Sequence, residues 1–304
     1  MDQIRIKTPA KLNLTLEVVN KRPDGFHNIQ SIMQLIDLYD YLTITVDEND
    51  EQEIILSGTS KEIPYDETNL VYKAAKLFFD FLSSYEDSFF AEQKFRVNIH
   101  IEKNIPISAG LAGGSTNGAG TIFGLNKIFR DVLPNKKMHE LCGQLGSDLN
   151  VCLEGGCLLA TSRGEVIKKL PFRDYNVSLI KPDNLGISAK EAYTKYSLLE
   201  NKPQYDYTHK MLDALMIGTD LRQFLYNDLE TAVFDDYKEL QKIKDIYPNS
   251  IMSGSGSTYF MLNEKVQPME HYWIKNGLKF IPDGVSVEKI TAYSFSNSSD
   301  NSPN

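Results

Sequence analysis

Residues 95–120 read FRVNIHIEKNIPISAGLAGGSTNGAG, and this stretch decides the expected architecture. Its first seven residues alternate, with apolar side chains at positions 95, 97, 99 and 101 and polar side chains between them. A period of two predicts a half-buried β-strand. The glycine-rich run that follows leads into helical spacing over residues 121–129, so a strand is expected to pass through a loop directly into a helix.

The loop at residues 106–116 has the chemistry of a phosphate site. Closely spaced glycines let backbone N–H groups turn toward a ligand without obstruction by a Cβ atom. A helix that begins directly behind them adds unpaired N–H groups and the positive end of its dipole. Together these features predict a phosphate cradle, in which Ser115 and Thr116 offer hydroxyls to phosphate or to Mg²⁺. The loop is neither a Walker A motif nor a GxGxxG dinucleotide fingerprint.

Three further motifs carry polar groups that can serve chemistry. PAKLN at 9–13 places Lys11 and Asn13 two positions apart, and therefore on the same face of an alternating strand. GSD at 146–148 puts Asp148 after a predicted helix, and SGSGST at 253–258 again spaces glycines closely. Each motif alone has an ordinary interpretation: a solvent-facing lysine, an aspartate that caps a helix or turn, and a hairpin turn.

The remaining pattern predicts a strand-rich first third and a mixture of helices and strands after about residue 160. The acidic stretch at 47–53 is interpreted as a solvated hairpin tip, with residues 54–58 pairing back onto a strand at 42–46. Helical spacing occurs at 69–82, 137–145, 188–196, 210–215 and 237–246, whereas 177–180 and 251–262 are strand-like. We expect two domains, at 1–160 and 161–293, and a disordered polar tail at 294–304.

Composition narrows the class of protein. The 304 residues carry a formal net charge of −9, which argues against a general nucleic-acid binder but not against a locally cationic phosphate site. Cys142, Cys152 and Cys157 form no CxxC pair, so buried thiols are favoured over a disulfide framework or a metal site. No apolar run approaches the roughly 20 residues that span a membrane, and the N-terminus alternates at once instead of forming a signal peptide. We therefore expect a cytoplasmic protein without a membrane partner.

The combination and order of the motifs resemble the GHMP kinase superfamily of small-molecule kinases. The resemblance is carried by PAKLNL at 9–14, GLAGGS at 110–115, GSD at 146–148 and SGSG at 253–256. Three more segments, KRPDGFH at 21–27, SIMQLIDLYDYL at 31–42 and NLVYKAA at 69–75, are similar to members that phosphorylate a cytidine diphosphate-linked alcohol in non-mevalonate isoprenoid biosynthesis. The resemblance spans roughly residues 5–262, which is most of the chain.

The resemblance implies an α+β fold of two domains. The N-terminal, ATP-binding domain would be like the second domain of ribosomal protein S5, the C-terminal domain would be ferredoxin-like, and substrate and ATP would meet in the cleft between them. It also implies ATP and Mg²⁺ as cofactors, a small-molecule substrate rather than a nucleic acid or membrane, and a monomer or homodimer.

The resemblance further implies roles for individual residues. Lys11 and Asp148 match the catalytic pair: a carboxylate beside an ammonium stays ionised and can accept a hydroxyl proton, while the ammonium offsets charge on the transferred group. Ser115 is the candidate metal ligand. The implied ATP-site residues are Gly110, Leu111, Ala112, Gly113, Gly114, Ser115, Thr116, Asn69 and Lys103, and the implied substrate-site residues are Asn13, Phe26, His27 and Tyr193.

The sequence departs from the family pattern at Asn150 and Ser257, where the family commonly has proline, and at Phe26, where it usually has tyrosine. The loop, Lys11 and Asp148 are retained, which favours an active kinase. Two alternatives are open at this point: a GHMP kinase of the homoserine or mevalonate type, and a non-catalytic nucleotide-binding homologue. An aromatic residue at position 26 favours a substrate that carries a nucleotide base.

Overall fold

A computed structural model describes residues 2–84, 92–200 and 206–292. The strands are β1 (Asp2–Lys21), β2 (His27–Asn49), β3 (Glu53–Gly58), β4 (Lys94–Glu102), β5 (Cys157–Ser162), β6 (Val166–Lys169), β7 (Asn176–Pro182), β8 (Tyr226–Asn227), β9 (Ile251–Met252), β10 (Tyr259–Leu262), β11 (Tyr272–Lys279) and β12 (Ser286–Ala292). The helices are α1 (Leu70–Ser84), α2 (Gly113–Ile128), α3 (Asn135–Leu145), α4 (Leu149–Glu154), α5 (Ala189–Leu198), α6 (Tyr207–Ile217), α7 (Asp228–Val233) and α8 (Lys238–Ile246).

The described strands form two sheets. Eight of them make the larger sheet, in the order β12-β1-β2-β4-β3, with β5 and β8 pairing onto β2 and β1 and β6 pairing onto β5. The smaller sheet has the order β11-β7-β10-β9. Because β6 and β12 lie beyond residue 160 yet pair in the larger sheet, the two sheets do not divide at one chain position. The domain limits 1–160 and 161–293 therefore stay a prediction, and the tail at 294–304 lies outside the described residues.

Strand β1 contributes to two hydrophobic cores, one along its first part and one along its second. Ile4 and Ile6, near its start, pack in the core that includes α1 and α2. Leu12 and Leu14, farther along, pack in a second core with side chains of β7, β10 and α6. Both faces of this second part are covered, so polar side chains on it are buried as well. Consequently Lys11 is only 3% exposed and does not face solvent as an isolated strand lysine would.

Helix α2 lies unusually close to the sheet because of its glycines. A Cβ atom added to Gly120 would lie 2.4 Å from Thr8 Cγ2, and one added to Gly124 would lie 2.7 Å from Ile44 Cδ1. The helix predicted at 121–129 is confirmed, but it begins earlier, at Gly113, directly after the loop. The glycine-rich loop therefore packs against β1.

The predicted pairing of residues 54–58 with the strand at 42–46 is wrong. Strand β3 pairs parallel with β4, and β4 lies between β3 and β2. Arg96 of β4 is paired in register with Asp47 on one side and with Glu53 on the other. Its guanidinium donates to the Glu53 carboxylate at 2.6 Å. The acidic segment thus places carboxylates on both sides of a basic residue that lies about 45 positions farther along the chain, which local hairpin rules do not consider.

The other predicted elements are present with shifted ends. The helix expected at 69–82 is α1, and Asn69 Oδ1 accepts from the Val71 N–H at 2.9 Å as its cap. The segments at 137–145, 188–196, 210–215 and 237–246 correspond to α3, α5, α6 and α8, and 251–262 forms β9, a turn and β10. Within the described residues, no helix is long and apolar enough to cross a membrane.

Replacing helical glycines by alanine separates packing from helix propensity. Propensity alone predicts that Gly120→Ala and Gly143→Ala each stabilise their helix by up to about 1 kcal/mol. At Gly143 the added Cβ would be at an ordinary 3.6 Å from Asn150. At Gly120 it would collide with Thr8, whose hydroxyl is held by Asn117 Oδ1 at 2.9 Å. We expect Gly120→Ala to lower the free energy of unfolding by about 1–3 kcal/mol, and Gly143→Ala to leave it unchanged or raise it, as measured by urea unfolding. Equal effects in the two variants would contradict this packing.

Candidate active site

One open cavity of about 1210 Å³ collects most of the residues singled out in the sequence. Its walls come from β1, the β1–β2 connection, the glycine-rich loop, the start of α4 and helix α5. Five cationic side chains and two carboxylates line it, an excess of positive charge in a chain whose net charge is −9. The cavity therefore has the local charge that an anionic ligand requires. These side chains are Lys11, Lys21, Lys103, Arg163 and Lys190, with Asp24 and Asp148.

The Lys11 ammonium is the buried centre of the cavity. Its Nζ donates to Asn13 Oδ1 at 2.6 Å and to the Gly110 carbonyl at 3.1 Å. It also lies 3.6 Å from Asp148 Oδ2. The Asp148 side chain is 28% exposed, so one partner of this ion pair is accessible from the cavity. A buried ammonium requires such paired acceptors, because removing it from water is otherwise very unfavourable.

The glycine-rich loop turns its carbonyl groups into the protein. The carbonyl of Ala109 accepts from the Thr258 N–H at 3.2 Å, and that of Leu111 accepts from the Lys11 N–H at 3.1 Å. Between them, the Gly110 carbonyl accepts from the Ser253 hydroxyl at 3.0 Å as well as from Lys11. With these carbonyls directed inward, the start of α2 presents the free N–H groups of its first turn at the cavity.

Glycines allow this loop to approach its neighbours. A Cβ atom at Gly110 would lie 1.9 Å from the Ser253 carbonyl oxygen, and one at Gly254 would lie 3.1 Å from Lys11 Nζ. The second glycine motif, at 253–258, therefore packs directly on the first motif and on Lys11. At Gly114, by contrast, an added Cβ would meet nothing within 4 Å, because this residue faces the open cavity.

Several aromatic side chains line one part of the cavity wall. The rings of His27 and Tyr193 are stacked, with centroids 5.1 Å apart. His27 Nε2 also lies 3.1 Å from the Ser197 hydroxyl. Phe26 is 53% exposed, and the Arg163 guanidinium covers its ring at 5.2 Å. The structure thus brings Phe26, His27 and Tyr193 together and adds Ser197 and Arg163, for which the sequence contained no motif.

Lys103 lines the cavity but is tied to a buried carboxylate. Its Nζ donates to Asp40 Oδ2 and to the Ile105 carbonyl. Asp40 is fully buried and also accepts from the N–H groups of Asn104 at 2.6 Å and Ile105 at 2.8 Å. Burial lowers the pKa of Lys103, and Asp40 opposes that shift. Sequence reasoning missed Asp40, although a charged residue within the apolar run at 31–42 was a usable signal.

Two of the candidate ATP-site side chains are bonded or buried within the protein. Asn69 lines the cavity, but its side chain caps α1 and donates to the Pro64 carbonyl at 2.6 Å. The Thr116 side chain is fully buried beside Cys152 and is not among the side chains that line the cavity. Ser115, one residue earlier on α2, does line it. Burial raises the pKa of the neighbouring Cys152 thiol, which keeps that group neutral.

Comparisons with known proteins agree with this geometry. The sequence matches the GHMP kinases N terminal domain family over residues 69–156. It is 40% identical over 272 residues to the 4-diphosphocytidyl-2-C-methyl-D-erythritol kinase of Clostridioides difficile (strain 630), covering 86% of this chain and 87% of that protein. The protein of the same name from Prochlorococcus marinus subsp. pastoris (strain CCMP1986 / NIES-2087 / MED4) is 36% identical over 300 residues, covering 93% of each chain.

A solved structure agrees as well. The crystal structure of 4-(cytidine 5'-diphospho)-2C-methyl-D-erythritol kinase superposes with a TM-score of 0.68 at 25% identity, covering 91% of this chain and 99% of that one. The predicted α+β GHMP kinase fold and the prediction of an ATP-dependent small-molecule kinase are confirmed. The chain belongs to the 4-diphosphocytidyl-2-C-methyl-D-erythritol kinase family of the GHMP kinases.

Proposed function

We propose that this enzyme transfers the γ-phosphoryl group of ATP to the 2-hydroxyl of 4-diphosphocytidyl-2-C-methyl-D-erythritol, yielding the 2-phosphate and ADP in isoprenoid precursor biosynthesis. The observation that carries the proposal is the position of the Lys11–Asp148 pair in a single cavity, with the glycine-rich loop and an aromatic cluster also lining it. A nucleotide triphosphate and a base-bearing alcohol are the two ligands that such a cavity accommodates.

The nucleotide phosphates would be held at the glycine-rich loop. Free N–H groups at the start of α2, together with its dipole, favour negative charge there. The open space at Gly114 lets phosphate oxygens approach the backbone. We assign the backbone or hydroxyl groups of six residues to this site: Gly110, Leu111, Ala112, Gly113, Gly114 and Ser115. Asn69, Lys103 and Thr116 would support it through their contacts within the protein.

Asp148 and Lys11 would act on the acceptor hydroxyl. The Asp148 carboxylate, accessible from the cavity, would orient this hydroxyl and accept its proton. Lys11, held by Asn13 and the Gly110 carbonyl, would pair with that carboxylate and offset charge as the phosphoryl group moves. Because both groups are fixed before substrate arrives, little reorganisation is required in the transition state.

The residues present also fit a Mg²⁺ ion. When bound, ATP would supply the phosphoryl group and Mg²⁺ would neutralise charge on its phosphates. Mg²⁺ usually keeps several waters and takes few protein ligands besides substrate phosphates. We assign the Ser115 hydroxyl, on the first turn of α2, as the protein ligand.

The cytidine group would bind at the aromatic end. Phe26 offers a ring face to the base, while His27 and Tyr193 offer polar atoms beside it. An alcohol of the homoserine or mevalonate type has no base for such a site, which disfavours that alternative. The free, buried cysteines are compatible with the reducing cytoplasm, where we place the enzyme as a monomer or homodimer.

Removing the Asp148 carboxylate tests the central assignment. We expect Asp148→Asn to lower kcat by about 10²–10⁴-fold, because the proton acceptor is lost while the shape is kept. ADP release should be measured with alcohols that do and do not carry a cytidine diphosphate group, and ATP affinity by calorimetry. Only the cytidine-bearing alcohol should support turnover, and ATP should still bind the variant. Turnover equal to the wild type would refute the role of Asp148, and loss of ATP binding would assign it to nucleotide binding instead.

Filling the space at Gly114 tests the phosphate site. Since an added Cβ atom there would meet nothing within 4 Å, we expect Gly114→Val to fold normally but to occupy the room assigned to phosphate. We expect ATP affinity to fall by at least about tenfold, the equivalent of 1.4 kcal/mol, with unchanged affinity for the cytidine-bearing alcohol as the internal control. Unaltered ATP binding would show that the phosphates lie elsewhere.

Truncating Phe26 tests the base site. We expect Phe26→Ala to raise the KM for the cytidine-bearing alcohol by about tenfold, because one base–aromatic stack contributes about 1–3 kcal/mol. Phe26→Tyr retains the ring and is the matched control, and the KM for ATP should not change in either variant. If Phe26→Ala left the KM for the alcohol unchanged, the assignment of the base to Phe26 would be wrong.

A further inference from the structure

The short helix α4 carries the proposed catalytic carboxylate but cannot hold its own orientation. It has six residues, with Asp148 at its N-cap position. A helix of this length has too few internal hydrogen bonds to be stable alone. Within the described chain, the Asp148 side chain makes no capping hydrogen bond. Besides the ion pair with Lys11 at 3.6 Å, the direction in which this carboxylate points therefore depends on contacts that α4 makes with the rest of the protein.

Apolar contacts hold α4 in place without determining its rotation tightly. Leu149, Val151, Cys152 and Leu153 are buried, and the Cys152 carbonyl accepts from the Val285 N–H at 3.0 Å. Non-directional apolar packing tolerates small rotations better than hydrogen bonds do. The backbone hydrogen bond from Val285 and the polar side chains of the helix therefore define its angle about its own axis.

Asn150 and Glu154 are those polar side chains. They are four residues apart and share one face of α4. His139 of α3 contacts both: its Nδ1 lies 3.1 Å from Asn150 Oδ1, and its Nε2 lies 3.1 Å from Glu154 Oε2. The other oxygen of Glu154 is paired with Lys169 of β6 at 2.6 Å. Partial burial opposes it, but Lys169 and His139 together lower the pKa of Glu154 and keep it an acceptor.

Both the oxygen and the nitrogen of the Asn150 amide have a partner. It is 7% exposed, and its Nδ2 donates to the Glu165 carbonyl, in the turn between β5 and β6, at 3.0 Å. Because the amide nitrogen faces a carbonyl, the amide oxygen faces His139, which must donate to it. The Asn150 side chain thus joins α4 to α3 and to the β5–β6 turn. Asn150 itself lies two residues after Asp148 in the chain.

We propose that Asn150 and His139 form a positioning pair that orients Asp148 for phosphoryl transfer, by holding α4 through a hydrogen-bonded bridge to α3 and to the β5–β6 turn. The inference rests on the proposed function of Asp148. Position 150 lies in the first turn of α4, where a backbone N–H has no intrahelical acceptor and proline is tolerated. A proline ring at position 150 would restrict the same backbone without the bridge.

The experiment compares three substitutions in the full-length enzyme. We expect Asn150→Ala to lower kcat by about tenfold, because a misplacement of a catalytic group by about 1 Å can cost up to 10²-fold, with both KM values within about twofold of wild type. Asn150→Pro should restore kcat. His139→Gln should lower kcat in the wild-type background and have little effect in the Asn150→Pro background.

A matched control separates positioning from loss of stability. Asn126 is 1% exposed, and its amide likewise donates to a backbone carbonyl, that of Leu133, at 3.0 Å, but it does not line the cavity. Asn126→Ala should lower the melting temperature without lowering kcat at a temperature where all variants are folded. A kcat for Asn150→Ala that equals that of Asn126→Ala, or an Asn150→Pro variant as slow as Asn150→Ala, would overturn the proposal. An inactive wild type would instead contradict the proposed function.

Discussion

The buried ammonium of Lys11 is the interaction on which the rest of the site depends. It joins three parts of the chain that are far apart in sequence: Asn13 on the same strand, the Gly110 carbonyl in the glycine-rich loop, and the Asp148 carboxylate before α4. Because a buried charge without acceptors is strongly unfavourable, the folded chain must bring all these partners to one point. The same requirement that satisfies the charge also assembles the proposed catalytic pair.

Glycine makes this assembly sterically possible. The loop at 110 and the turn at 254 approach each other and Lys11 at distances that leave no room for side chains. Asn227 supports the second of these turns, since its amide donates to the carbonyls of Met252 and Gly254 at 2.7 and 2.8 Å. Helix α2 likewise packs closely against β1 at Gly120, where there is no room for a Cβ atom. The loop proposed to hold phosphate is thus one end of a closely packed unit.

Local patterns in the sequence predicted the elements well, because amphipathic periodicity reflects which face of a segment is buried. The alternation at 95–101 and the helical spacing at 69–82 both correspond to elements of the fold. Partners between distant segments were predicted less well. Residues 54–58 pair with β4 instead of β2, and Asp40 pairs with Lys103 over 63 positions. Such pairings depend on strand order, which periodicity does not encode.

The sequence by itself determined the two glycine motifs, the strand that leads to the first of them, and the residues Lys11 and Asp148 with their family resemblance. Only the tertiary structure decided which of the candidates share the cavity. It also decided that Lys103 forms an ion pair with Asp40 and that Thr116 is buried beside Cys152. It also decided how Asn150 is held, through His139 and Glu165. The physical reason is that motifs reflect local backbone geometry, whereas burial and charge pairing arise from contacts between segments far apart in the chain.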